Sequence, residues 1–394
     1  MLIPVKLKEL GDIITGNTPS KKEISYWDSK DICFVKPDSI SEQGISIVKN
    51  TTEYLSEKAS SKARIVTKDA VFVTCIGTIG KIGLAAEGRY AFNQQINVVV
   101  PNTKVLPKYL AYALLSSKKR LEDIANAPVV PIINKTQFGE FSIKIEDNTL
   151  LQKDIVNILD KVVGIIDFRR RELQCLDNLV KARFVEMFGD PEMNPYGWQK
   201  INISNIVQGK VSNGYFAKRD EYVEDGNAAI LGVAYIVNRM YSGIEGLPRT
   251  NVTLADIQKY KVRYGDMLFC RSSLVAEGIG KASIVPENVP DNTLFECHVI
   301  RLPLDMDKCV PEFMQVLSTT DYFRKQMIAQ SKTATMTTIG QDGIKKANII
   351  LPPIEKQREF YSFVKQIDKS KVAIQKSLAE TQLLFDKLMQ DYFG

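Results

Sequence analysis

Two stretches of this chain share one hydrophobic register at a fixed offset, and that repetition limits the fold more than any other feature. Steps of four and three from Ile155 reach Leu159, Val162, Ile166, Arg169, Leu173, Leu176, Val180, Arg183 and Met187. The same steps from Phe360 reach Val364, Ile367, Lys371, Ile374, Leu378, Thr381, Phe385, Leu388 and Tyr392. Eight of ten positions are apolar in each series, and Phe360 follows Ile155 by 205 residues just as Tyr392 follows Met187. A 3.5-residue period sustained this long marks a left-handed coiled-coil seam. The spacing therefore predicts two long helices packed on each other, with Arg169, Arg183, Lys371 and Thr381 as polar interruptions that fix register. The competing reading docks each helix on its own globular module, which needs only a stripe of period 3.6.

The segments between the helices repeat as well. Lys6 to Gly16 resembles Lys200 to Gly209 with one gap, and Val66-Thr67-Lys68-Asp69-Ala70-Val71-Phe72 matches Arg263-Tyr264-Gly265-Asp266-Met267-Leu268-Phe269. Ile79-Gly80-Lys81 matches Ile279-Gly280-Lys281, Pro107 to Leu110 parallels Pro311 to Met314, and Ile133 to Ile145 parallels Ile339 to Leu351, always in the same order. Such ordered self-similarity reads as one module used twice. The expected organisation is a module over residues 1–150, a helix over 151–190, a second module over 191–353 and a second helix over 354–394. Gly189 suits a helix C-cap, and Pro191 ends the helix in a turn-rich linker. The fold class is α+β: two tandem mixed modules with twisted sheets, separated and joined by two long antiparallel coiled-coil helices, in a pseudo-two-fold internal repeat. A helix of about 35 residues spans about 50 Å. That geometry predicts modules at opposite ends and Gly394 returned close to Met1.

Composition narrows the chemistry. With 44% hydrophobic and 25% charged residues the chain is globular. No apolar run approaches the roughly 20 residues that cross a bilayer, and the start lacks a signal core, so a cytoplasmic protein without membrane association is expected. Six scattered cysteines and the single His298 suggest neither a zinc cage nor a disulfide framework. No metal site and no catalytic residue is assigned. His298, in Leu294 to Leu302, reads as an ordinary residue of an alternating strand. The net charge of +6 is compatible with a polyanionic partner.

Motifs for catalysis are missing. Gly77-Thr78-Ile79-Gly80-Lys81 is too short for a phosphate loop, so Lys81 and Lys281 are read as turn lysines facing phosphate or water. Asn194-Pro195-Tyr196 resembles the catalytic motif of amino-methyltransferases but has one proline and is read as linker. Candidate DNA contacts are hydroxyls, amides, aromatics and cations in loop-like stretches. In the first module they are Thr18, Ser20, Lys21, Lys22, Tyr26, Trp27, Lys81, Asn93, Gln94, Gln95, Asn134 and Lys135. In the second they are Asn213, Tyr215, Lys218, Arg219, Arg239, Arg271, Ser272, Lys281, Lys332, Thr333 and Thr335. The amides of residues 93–95 can pair with adenine or merely cap a turn.

Taken together, the sequence resembles the specificity subunit of type I DNA restriction-modification systems over nearly its whole length. The resemblance rests on the duplicated opening segment and on Gly265-Asp266-Met267-Leu268-Phe269. It also rests on Lys181-Ala182-Arg183-Phe184-Val185-Glu186-Met187-Phe188-Gly189-Asp190-Pro191 and on Pro352-Pro353-Ile354-Glu355-Lys356-Gln357-Arg358. The first copy departs with Glu146-Asp147-Asn148 where the second has its prolines. The resemblance implies two target-recognition domains on double-stranded DNA, each reading one half of a bipartite target. It implies a coiled coil that spaces the halves and docks methyltransferase subunits, usually two, with restriction-translocase subunits bound through them. It implies no cofactor on this chain: S-adenosylmethionine, ATP and magnesium belong to the partners, which as a complex form an adenine-specific methyltransferase and ATP-dependent endonuclease. Two other readings stay open, a specificity subunit of a type II-like methyltransferase and nuclease system, and a coiled-coil protein adaptor without DNA.

Overall fold

A computed structural model describes residues 2–125 and 130–394. The chain divides into two compact units, Met1–Arg170 with Lys376–Gly394, and Arg171–Gln375. Both are α+β, and both use the same strand plan.

In the first unit a five-stranded sheet runs Gly11–Thr15, Ile96–Pro101, Val71–Thr74, Ile82–Ala85, Ile45–Val48, with only the last pair parallel. Successive side chains of a strand point to opposite faces. Val71 and Val73 therefore enter one core with Tyr109, Leu110 and Ala113 of the helix Pro107–Ser116, while Phe72 enters another with Tyr90 and Phe92. A second sheet carries Glu53–Leu55, Ile32–Val35, Arg89–Phe92 and Ile65–Thr67. The second unit repeats the order with Ser212–Asn213, Val299–Leu302, Met267–Cys270 and Ala282–Ile284, and its second sheet with Arg249–Thr250, Ala228–Leu231 and Thr293–Phe295. There Met267 and Phe269 face the helix Pro311–Ser318, and Leu268 and Cys270 face the other core. Each unit has a two-stranded ribbon, Leu2–Lys6 with Ser142–Glu146 or Gln199–Asn202 with Asn348–Leu351.

The long helices are Thr149–Phe188 and Ile354–Phe393. Gly189 ends the first with φ 77°, its N–H reaching the Val185 carbonyl at 2.8 Å. In the first unit Ile155, Leu159 and Val163 share a core with Phe385, Leu388, Met389 and Phe393. In the second, Leu176, Val180, Phe184 and Phe188 share a core with Phe360, Val364 and Ile367. The start of one helix thus meets the end of the other in both units, which makes the pairing antiparallel. Every apolar seam position predicted from sequence is buried or half-buried.

The strict 3.5-residue walk fails at the helix ends. Val180, Phe184 and Phe188 are buried at four-residue steps, while Arg183 and Met187 of the predicted seam are only half-buried. There each helix packs on the module of the other repeat as well as on its partner helix: Phe188 of the first helix lies 4.9 Å from Phe313 and 5.5 Å from Phe360, and Phe393 of the second lies 5.1 Å from Tyr109. Packing on the helix's own module occurs at the helix starts, where Ile155 and Leu159 join the core of the first module and Phe360 and Val364 that of the second, together with the partner helix. Lys144, whose strand partner is Pro4, donates to the Gly394 carbonyl at 2.7 Å. Met1 itself lies outside the described residues.

The structure also corrects two matches between the repeats. Asp69 corresponds to Gly265, not to Asp266. Their N–H groups donate to Ala85 and Val285, and both adopt positive φ, 70° and 84°. Gly16 corresponds to Gly214, not to Gly209: their N–H groups donate to Ile96 and Val299, and a Cβ on either would collide with backbone carbonyls, at Asn93 or at Glu296.

Candidate nucleic-acid interface

Each unit crosses from one sheet to the other through a three-residue turn. In the first unit Asn93-Gln94-Gln95 lies between Arg89–Phe92 and Ile96–Pro101. In the second, Glu296-Cys297-His298 lies between Thr293–Phe295 and Val299–Leu302. The expectation that His298 belongs to one continuous alternating strand is thereby overturned; the chain changes sheets at that point.

The same backbone hydrogen bonds frame both turns. Asn17 N–H donates to the Phe92 carbonyl and Tyr215 N–H to Phe295; Cys75 N–H donates to Gln95 and Arg271 N–H to His298; Ile133 N–H donates to Cys75 and Ile339 N–H to Arg271. Separate stretches of sequence therefore converge beside each turn: the end of the entry strand, the loop after the central strand, and the segment before a short helix.

In the second unit this gathers many of the candidates chosen from sequence. The Arg271 guanidinium donates to the Cys297 carbonyl at 3.1 Å, and Ser272 Oγ lies 3.1 Å from His298 Nδ1. Ser272–Ser273 pairs with Thr337–Thr338, which pairs with Lys332–Thr333. Lys332, Thr333 and Thr335 are exposed, and Gln341 donates to Asn213 at 3.2 Å. Tyr215 stacks edge-on with Tyr260 at 5.7 Å. In the first unit Thr18 donates to Gln94 at 2.8 Å, and Asn134 and Lys135 follow Ile133 on the exposed side.

Other candidates go elsewhere. Asn93 is buried, its amide donating to Gln95 Oε1 at 2.9 Å and its oxygen accepting from Gln95 N–H, so it shapes the turn. Asn134 caps the helix Lys135–Glu140 through Gln137. Trp27 packs edge-on against Phe34 at 5.1 Å in a small core that Tyr26 also joins. The Ser20 carbonyl accepts from the Trp27 indole, and Lys21 pairs with Glu53 at 3.0 Å; Lys22 beside them is exposed. Hydrogen bonds from Lys36 and Lys21 hold Glu53 below the usual carboxylate range. Lys81 donates to the Pro37 carbonyl at 3.3 Å. Lys218 and Arg219 lie exposed at the turn that Glu221 caps. Arg239 and Lys281 line a separate cleft of about 440 Å3 with Lys181, Arg324 and Lys371.

Asn194 spends its side chain within the linker, donating to the Trp198 carbonyl at 2.8 Å and accepting from Trp198 N–H at 2.9 Å. That bonding explains its place as a turn former rather than a reacting group. Sequence reasoning missed Glu296 and Cys297. The signal that finds them is their equivalence to residues 93–95, visible only once the backbone bonds are compared. All six cysteines are free thiols. Among the described residues Glu296, Cys297 and His298 bring ligand atoms within 4.8 Å of one another, and burial pushes the Cys297 thiol up. No helix among the described residues is long and apolar enough to cross a membrane.

Comparison with known proteins agrees with the internal repeat. The family model described as the type I restriction modification DNA specificity domain matches residues 4–178 and again 195–382. The chain is 22% identical to the type I restriction enzyme MjaIX specificity subunit of Methanocaldococcus jannaschii over 98% of this chain and 90% of that protein. It is 21% identical to the EcoKI specificity subunit of Escherichia coli K12 over 77% of this chain and 68% of that one. Among solved structures, the type I restriction-modification S subunit from M. genitalium superposes with a TM-score of 0.56 at 14% identity, covering 100% of this chain and 96% of that one. A chain from a structural study of type I system assembly and conformational transition gives 0.54 at 16%, covering 99% and 97%. With two tandem matches that leave little of the sequence uncovered, the chain belongs to the type I restriction-modification DNA specificity family.

Proposed function

We propose that each unit reads one half of a split double-stranded DNA target through the loop edge built around its sheet-crossing turn. The observation that carries this reading is the convergence of the polar and cationic stretches on equivalent edges, framed by the same backbone bonds in both units. Residues from separate loops held on a rigid sheet edge are how protein folds present binding groups. The paired helices then set the unread gap between half-sites.

The chain contributes no catalysis in this reading. Two methyltransferase subunits dock on it, bringing S-adenosylmethionine, and restriction-translocase subunits that use ATP and magnesium join through them. An exposed apolar row on the first long helix supports such docking. Leu151, Ile158 and Ile165 recur at seven-residue steps, followed by Phe168, and all four are 40–54% exposed. A contiguous apolar row left in water marks a protein contact.

The test is selection of bound duplexes from a randomised library, repeated at rising salt. A split motif is expected, with affinity falling steeply as salt displaces the phosphate contacts. Removing one heptad from each long helix shortens the pair by about 10 Å and should narrow the gap by about 3 base pairs. A chain that ignores duplex DNA, or a gap unchanged by the deletion, overturns the corresponding half of the proposal.

A further inference from the structure

The two sheet-crossing turns occupy one place in the fold but carry different chemistry. Gln95 and His298 are matched atom for atom in the backbone: the carbonyl of each accepts from the residue after the central strand, Cys75 or Arg271. Gly16 and Gly214 approach the start of each turn so closely that neither position has room for a side chain. The scaffold is therefore shared, and the variation is confined to what the turn presents. Gln94 is exposed and Gln95 half-buried in the first unit; His298 is exposed and Cys297 and Glu296 half-buried in the second.

The surroundings of His298 favour a directed contact. Its Nδ1 lies 3.1 Å from Ser272 Oγ, and Ser272 is held in the strand pair with Thr337–Thr338. When the serine hydroxyl donates to Nδ1, the remaining ring nitrogen carries the proton and is a donor. Purines offer acceptors for such a donor in the major groove, N7 on both and O6 on guanine. Arg271, bonded to the Cys297 carbonyl, supplies positive charge beside it, and the exposed Lys332 adds a second cation on the same three-stranded ribbon as Ser272.

We propose that Glu296-Cys297-His298 is the base-reading turn of the second unit, with His298 donating from Nε2 to the N7/O6 edge of a purine in that unit's half-site. Asn93-Gln94-Gln95 is its counterpart in the first unit, where the one exposed amide, that of Gln94, suits adenine. This inference rests on the DNA-reading function proposed above and adds the residues that set its specificity. A metal site is the other use of the trio, since its ligand atoms lie within 4.8 Å of one another. The counterpart turn argues against it. Asparagine and glutamine are poor ligands for the soft metals that cysteine and histidine select, so a role common to both turns is base contact.

The experiment is duplex selection with this chain, alone and together with the methyltransferase subunits that the proposed function assigns to it, comparing wild type with H298A and H298Q. A third variant carries Asn-Gln-Gln at residues 296–298. Thermal denaturation checks that each folds, and H298Q keeps a donor should H298A fail to fold. In H298A, discrimination at one base pair of a single half-site should fall about ten- to hundredfold. The other half and the salt dependence should stay as in wild type. H298Q and the Asn-Gln-Gln variant should shift preference at that position toward adenine. Unchanged base preference in folded variants overturns the proposal. So does an equal loss on all sequences with a shallower salt slope, which is the mark of a phosphate contact. A stoichiometric zinc ion retained by wild type and lost in H298A overturns it in favour of a metal site. If wild type selects no motif, the DNA-reading function itself has failed; if it selects a split motif and the variants select the same one, only the turn assignment has.

Discussion

Gln152 and Gln357 are the same buried device in two copies. Each is fully buried near the start of a long helix. Gln152 accepts from Leu106 N–H at 2.8 Å and donates to the carbonyls of Lys104 at 3.0 Å and Glu146 at 2.7 Å. Gln357 accepts from Val310 N–H at 2.9 Å and donates to Lys308 at 3.3 Å and Pro352 at 2.7 Å. One amide thus ties the helix to the turn before Pro107 or Pro311 and to the strand end just before it.

Replacing either glutamine by leucine keeps the bulk but strands buried backbone groups. Each such group costs about 1–3 kcal/mol when left unpaired. Q152L and Q357L should each lower stability by about 3 kcal/mol in chemical denaturation. The two share no partners, so the double variant should show a nearly additive loss. A single variant within experimental error of wild type would mean that water replaces the amide.

The aromatic cluster at the end of the first long helix should be costlier to open. Phe184 and Phe188 are both buried against Phe313 and Phe360, with ring centroids 4.9–5.7 Å apart. F188A should destabilise by about 3–5 kcal/mol, whereas V185A on the exposed side of the same turn should stay within about 0.5 kcal/mol. Denaturant midpoints of the two variants make the comparison.

What could be read from the sequence follows from which interactions are periodic. The seam is legible because Leu159, Val162, Val364 and Ile367 obey a helix period that needs no knowledge of the partner. Phe184 and Phe188 break that seam because they answer to Phe313, far away in sequence. The repeat was legible too, but its register slipped by one residue at Asp69. Aspartate there adopts the left-handed backbone that Gly265 adopts in the second unit, and matching aspartate to aspartate hides this. The interface was half legible. Arg271, Ser272 and Lys332 stood out by residue type, while Asn93 and Asn134, chosen on the same grounds, serve local turns and caps. Composition cannot separate an amide that binds a ligand from one that binds its own backbone.

Asp266 gives the second unit a pH dependence of definite sign. Burial pushes its carboxyl from 3.8 up to about 6, against the Arg263 N–H at 2.9 Å and the charges of Arg301 and Arg263, which act the other way. The folded state therefore prefers the protonated acid. The associated stability is fully present below about pH 4 and is lost as pH rises through about 6. A shift of this size corresponds to roughly 3 kcal/mol. D266N, which stays neutral and can still accept from Arg263, should be more stable than wild type at pH 7.5 and should flatten that part of the stability profile. Parallel profiles for the two proteins between pH 4 and 7 would refute the assignment to Asp266.

The exposed row on the first long helix separates docking from folding. Ile165 and Phe168 are 46% and 54% exposed, while their neighbour Ile166 is buried in the seam. I165D and F168D place a charge in water in the monomer, so each should change folding stability by no more than about 0.5 kcal/mol. In a complex the same charge would be desolvated without a partner, and truncating or repelling a central contact in this way costs about 2 kcal/mol or more. The methyltransferase should therefore be lost from pull-downs by I165D and F168D and retained by D167N, which lies between them in sequence but on another face of the helix. I166D should fail differently, by unfolding the first unit. If I165D and F168D bind methyltransferase as wild type does, docking uses another face, and the exposed Leu383 and Leu384 of the second long helix become the row to test.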